Sequence, residues 1–145
     1  LMLHDPEEEH DCFSDNTHYS HYYDQLGIMN VYLGRYERVD GSVVKGPSLS
    51  DLVAAEDAAV DTEMKASLEG AFTAMQAMVD RANTVEAYDQ MIGEGNAEGN
   101  AVVEAVVQSL TDQTRSIERV VAALDLSTIQ FEGSDSLDNP QAVFQ

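Results

Sequence analysis

Apolar residues recur at helical intervals over most of the chain. Tyr19, Tyr22, Leu26, Met29, Leu33 and Tyr36 follow one another at steps of three or four and predict a first helix, with Ser14 or Asp15 as its N-cap. Gly27 within that stripe reads as a point of close packing. "VDGSVVKGPSLSDL" then breaks the period with Gly41, Gly46 and Pro47, giving a loop that touches an extended stretch at Ser42 to Val44. Ser48 caps a short helix over 49–56, and Asp51 three residues on favours the helix N-terminus in a variant of the capping box. Met64, Leu68, Phe72, Met75, Val79 and Ala82 hold the 3.6-residue period without a gap, which makes this the clearest helix; Asp61 or Thr62 is its predicted cap. Its methionines, Met64, Met75 and Met78, read as core filling. "NTVEAYDQMIGEGNAEGN" holds three glycines and reads as a mostly water-facing connection with a short turn around Glu86 to Ile92. A last helix is predicted over 98–124 from Val103, Val106, Val107, Leu110, Ile117, Val120, Val121 and Leu124. Gln113 and Thr114 interrupt its stripe, and such a break is either a hydrogen-bonded buried amide or a group facing a cavity.

Helices without convincing alternating strands predict an all-α helical bundle. Residues 1–13, which include Pro6, form an extended leading segment, 14–124 the bundle, and 125–145 a coil tail. With 145 residues the chain has the length of one ordinary domain. No apolar run approaches the roughly 20 residues needed to cross a bilayer.

Charge narrows the partners. Seven basic against 27 acidic residues leave a net charge of −20, which repels nucleic acid and anionic lipid and favours cations or basic partners; a solvated acidic surface accounts for the same numbers. Cys12 is the single cysteine, so no internal disulfide can form. The start, "LMLHDPEEEH", has no initiator Met and no secretory pattern, as expected of a mature, trimmed or cleaved product.

Candidate chemistry gathers in "EHDCFSDNTHYSHYYD", Glu9 to Asp24, where three histidines, one cysteine and four acids share sixteen residues. His18 and His21 lie three apart on one helix face, and Asp15 and Asp24 extend that face by a turn each way. Imidazole and carboxylate together suit zinc, iron or nickel. Purely structural roles fit the same residues: Asp15 as N-cap, Cys12 and Phe13 as an apolar staple, His10 and His18 bonded to backbone carbonyls. Other templates fail. There is no HExxH, no phosphate-cradling loop and no nucleophile elbow. Glu7 to His10 is a single Glu-x-x-His spacing where a di-iron bundle needs two. Carboxylates around Cys12 raise a thiol's pKa and argue against a nucleophile.

"EHDCFSDNTH", "GIMNVYLGRY" and "GPSLSDLV", in that order over residues 9–53, resemble the C-terminal half of the imelysin-like proteins, a group of bacterial metallopeptidases and iron-regulated envelope proteins. "AYDQMI" at 87–92 and the helix pair beyond residue 57 are similar in kind. The resemblance implies an all-helical, two-domain protein of the periplasm or outer cell surface, linked to iron uptake, with iron or zinc as the metal. It also implies a site near the interface of the halves, centred on a G-x-H-x-x-E motif in the N-terminal half. That motif is absent here: His4 to Glu7 has the H-x-x-E spacing, but Met2 replaces the glycine. The half that carries it is expected as a second chain or a preceding segment. Residues matching the family blocks are His10, Cys12, Ser14, Asp15, Asn16, Thr17 and His18, then Gly27, Asn30, Tyr32, Leu33 and Gly34. Among them Asp15 and His18 are expected to face the metal cavity, whereas His21 lies outside the motif. Two functions compete with metal binding: a metallopeptidase of the family, and a non-catalytic structural or interaction module.

Overall fold

The computed structural model describes residues 4–126; the predicted coil over 127–145 lies outside them. After a single 3-10 turn at Pro6–Glu8, the chain forms α1 (Thr17–Leu33), β1 (Arg35–Glu37), β2 (Val43–Lys45), α2 (Leu49–Glu56), α3 (Ala58–Thr84), α4 (Tyr88–Met91) and α5 (Ala97–Ala123). The expected all-α bundle is present. Its only sheet among the described residues is the antiparallel pair β1–β2, with Tyr36 opposite Val44.

Each boundary has a local cause. The α1 cap lies one or two residues beyond the predicted Ser14 or Asp15, because Asp15 takes a left-handed conformation (φ 49°) and Asn16 stands at the N-cap without a side-chain bond. Asp15 is therefore not the cap. α1 ends at Gly34, whose φ of 57° few residues but glycine adopt cheaply; a Cβ there would lie 2.8 Å from the carbonyl oxygens of Gly46 and Pro47. Tyr36, read as the last member of the helical stripe, accordingly lies on β1. Gly27 packs closely against nothing. Ser48 and Asp51 form the reciprocal capping box over α2, as predicted. α3 is capped by Asp57, which accepts from the N–H groups of Ala59 and Val60; this frees Asp61, the residue expected there, for the interior.

Two apolar clusters set the directions of the long helices. Met75 and Met78 late in α3 meet Val103 and Val106 early in α5, while Met64 and Leu68 early in α3 meet Ile117 and Val120 late in α5, so the two helices run antiparallel. α1 lies against α3 in the same sense, Tyr22 beside Met75 and Tyr32 beside Leu68. The connection expected to face water for the most part also turns one helical turn inward. Tyr88, Met91 and Ile92 are among the most buried side chains, because their i, i+3, i+4 spacing puts all three on the inner side of one helical turn. Between the clusters, Gln113 is the hydrogen-bonded buried amide that the interrupted stripe predicted. Its Oε1 accepts from Gln25 Nε2 at 2.7 Å, and the same Nε2 donates to the Leu68 carbonyl at 3.3 Å.

Candidate metal centre

The leading segment folds across the start of α1 through hydroxyl groups. Thr17, fully buried, donates to Glu9 Oε1 at 2.9 Å and accepts the Asp11 N–H at 2.9 Å. Ser20 one turn later donates to the Asp11 carboxylate, and the Ser14 N–H and hydroxyl both turn back to the Asp11 carbonyl. The 3-10 turn packs against α4. These contacts bring Glu9 of the leading segment and Asp15, just ahead of α1, beside Asp89 of α4, with one carboxylate oxygen from each lying within 4.8 Å of the others. Glu9 is buried, Asp89 half-buried and Asp15 exposed. Three carboxylates so close repel one another unless a cation or protons intervene.

The start of α1 and α4 also carry buried polar atoms without partners. His18 is 7 % exposed and its Nδ1 has no hydrogen-bond partner; the same holds for His21 Nε2 and for the hydroxyl of Tyr88, which is 1 % exposed. His21 stands between His10 and Tyr88, with ring centroids 6.2 Å from each. Burial, joined by the positive charge of His10, lowers the His21 pKa from the usual imidazole value, against the opposing pull of Asp24. Burial, and then the negative charge of Glu9, push the Tyr88 phenol up to about 12. At neutral pH the His21 imidazole and the Tyr88 phenol are therefore neutral, in a part of the fold that also holds the carboxylate trio. That combination fits a cation.

The Imelysin family model matches residues 1–117. The chain belongs to the Imelysin family. No curated protein sequence matches it. The matched stretch runs from the leading segment well into α5, so the whole trio lies within the Imelysin portion of the chain.

Of the residues that match the family blocks, the fold employs several for architecture. Tyr32 sends its hydroxyl to Asp61 at 3.0 Å, the Asn30 carbonyl accepts the capping N–H of Gly34, and Thr17 holds Glu9. Cys12 is exposed and Phe13 is 105 % exposed, so neither forms the apolar staple offered as a structural alternative. His10 is exposed and faces His21, and Gly27 borders an open groove. Asp15 joins the trio; His18 lies buried next to Thr17 without being one of its three members. Glu9, Asp89 and Tyr88 were not singled out by sequence. A usable signal existed in "AYDQMI", whose apolar spacing marks a helical turn facing the core.

At the other end of the bundle, an open groove of about 580 Å³ is walled by Ile28 and Val31 of α1, Met64 of α3 and Ile117, Val120 and Val121 of α5. Among the described residues, no helix is long and apolar enough to cross a membrane.

Proposed function

We propose that this Imelysin domain binds a divalent metal, or a ligand carrying one, where the leading segment meets α1 and α4, and that it does so in bacterial iron uptake at the cell envelope. One observation carries the reading: the approach of one carboxylate oxygen each from Glu9, Asp15 and Asp89 to within 4.8 Å. Glu9 and Asp15 would supply carboxylate oxygens, and His18 Nδ1 would turn toward the ion or toward a group delivered by the N-terminal half. Iron and zinc both accept such mixed donors. A metal would supply charge neutralisation and Lewis acidity; the chain's own part is to bind it, orient it and shelter it from water. Peptidase activity would require a further general base, for which the N-terminal half with its G-x-H-x-x-E motif is the expected source.

Native mass spectrometry with ferrous iron or zinc tests the reading. One ion per chain is expected, lost when Asp15→Asn and His18→Gln are combined. Equal uptake by the double variant would overturn it. Cleavage of unstructured peptides that stops on chelation would instead establish the metallopeptidase.

A second reading, an interaction module, is favoured by the apolar groove, which suits packing against another polypeptide such as the N-terminal half. On that reading the double variant loses only local stability.

A further inference from the structure

We propose that the outer edge of β2 docks an extended polypeptide strand in which acidic and apolar residues alternate. The inference is independent of the metal-binding reading above and rests on the β1–β2 hairpin, which that reading does not use.

Charge singles out the hairpin. Residues 35–45 hold three of the chain's seven basic residues and two of its 27 acids, which leaves four basic against 25 acidic residues elsewhere, so one short stretch is net positive on a strongly negative body. Lys65, Arg81, Arg115 and Arg119 are each paired with a carboxylate, whereas Arg38 and Lys45 pair with none among the described residues. Register concentrates the excess, because Arg35 stands directly opposite Lys45. The Gly46 N–H donates to the Gly34 carbonyl and the Arg38 N–H to the Ser42 carbonyl. Every second pair of an antiparallel ladder is bonded in this way, so Arg35 and Lys45 form a pair without mutual hydrogen bonds, the kind whose side chains stand closest. Two cations so placed repel, and Glu37, 3.3 Å from Arg35, answers only one of them. A carboxylate set beside Lys45 relieves the other.

The same alternation shows what else is open. Val43 and Lys45 turn their N–H and C=O groups away from β1, toward an edge where no third strand lies among the described residues. Val43, Val44 and Tyr36 are all exposed around it. A bare edge with exposed β-branched residues is a template for another strand, which gains main-chain hydrogen bonds there. Successive residues of an added strand face alternate sides of the sheet, Lys45 on one side and Val44 with Tyr36 on the other, and this dictates the alternation of acidic and apolar residues. The edge of β1 is the poorer one: β1 packs against α1, and its Glu37 would face the incoming acids. Val31, also exposed, borders both the hollow beside the hairpin and the apolar groove, so the surface continues further than a small anion reaches and suits a polypeptide.

The test is a short labelled peptide of alternating glutamate and valine, titrated with the full 145-residue chain and followed by fluorescence anisotropy. Saturable binding is expected, weakened at least about tenfold by Lys45→Glu, because a like-charge contact across an interface is costly. Glu104→Gln on the exposed face of α5 should bind as the parent does. Amide hydrogen exchange of the parent chain, read by NMR, supplies a measurement that needs no variant: the peptide should slow exchange at Val43 and Lys45 and leave Val44, already bonded within the hairpin, unchanged. Equal binding of a lysine–valine peptide, or parent-like binding by Lys45→Glu, would overturn the charge argument. Protection at Arg35 and Glu37 instead would overturn the choice of edge. Dimerisation of the peptide-free chain that protects Val43 and Lys45 would make a second copy the occupant and overturn the proposed partner. Absence of both binding and protection would overturn the inference and leave the metal-binding reading untouched.

Discussion

Asp61 shows how far one side chain can depart from its apparent role. It stands where a helix cap was expected, yet it is buried and accepts from Tyr32 of α1 at 3.0 Å, Ser50 of α2 at 2.7 Å and Lys65 at 2.7 Å. Burial acts to raise its pKa, but the three donors outweigh that cost and hold the carboxyl below its ordinary value. Replacing it with alanine leaves two buried hydroxyls without their acceptor. Asp61→Ala should therefore cost about 2–4 kcal/mol in urea denaturation; a loss below about 1 kcal/mol would mean that Tyr32 and Ser50 find other partners. At this scale the sequence was half legible. Acids ahead of helices were visible as a type, and Asp15, singled out in the sequence for the metal cavity, lies in the carboxylate trio. Whether an acid caps, anchors or joins a cluster depends on partners that arrive from elsewhere in the chain. Gln113 is similar: its buried amide was foreseeable, but its partner Gln25 lies 88 residues away.

α3 emerges from its unbroken apolar period, α5 from a period that Gln113 and Thr114 interrupt, and α2 from its capping box. α4 does not, because glycines and asparagines around it carry a strong loop signal while its own apolar residues span a single turn. The third of those glycines has the opposite role. A Cβ on Gly99 would lie 2.6 Å from the Met91 Cα and 2.8 Å from Glu86 Oε1, so the missing side chain is what lets α5 approach α4. Gly99→Ala is expected to cost about 1–3 kcal/mol by overpacking, seen as a lowered thermal midpoint. It should also weaken cation binding, because α4 carries Asp89. An unchanged midpoint would show that the α4–α5 connection gives way without penalty. The candidate site was hard to see for the same reason: one of its three carboxylates, Asp89, sits on the one helix that composition disguised.

Across the whole molecule, acid should act in two stages. His21 has a folded pKa below 6.5, so the unfolded chain takes up that proton first as pH falls. Stability attached to the neutral imidazole is complete above 6.5 and is lost as pH falls from there through the folded value. Asp61, also depressed, adds its loss only below 3.8. Thermal midpoints taken from about pH 7 to about pH 5 should decline, and His21→Phe should flatten that decline; an equal slope in the variant would assign the first stage to another group. An all-α architecture could be read from periodicity because each helix advertises its own buried face. Which ends meet could not, since that depends on contacts between faces. Gln25 and Gln113 bear on the matter. Sliding α1 along α5 by one turn, about 5.4 Å, would strand both amides among apolar side chains at roughly 1–3 kcal/mol each. Apolar surfaces alone tolerate such slippage. The two glutamines thus act as an index mark, fixing the axial offset at which the leading segment comes level with α4, and every carboxylate distance in the trio inherits its value from that alignment.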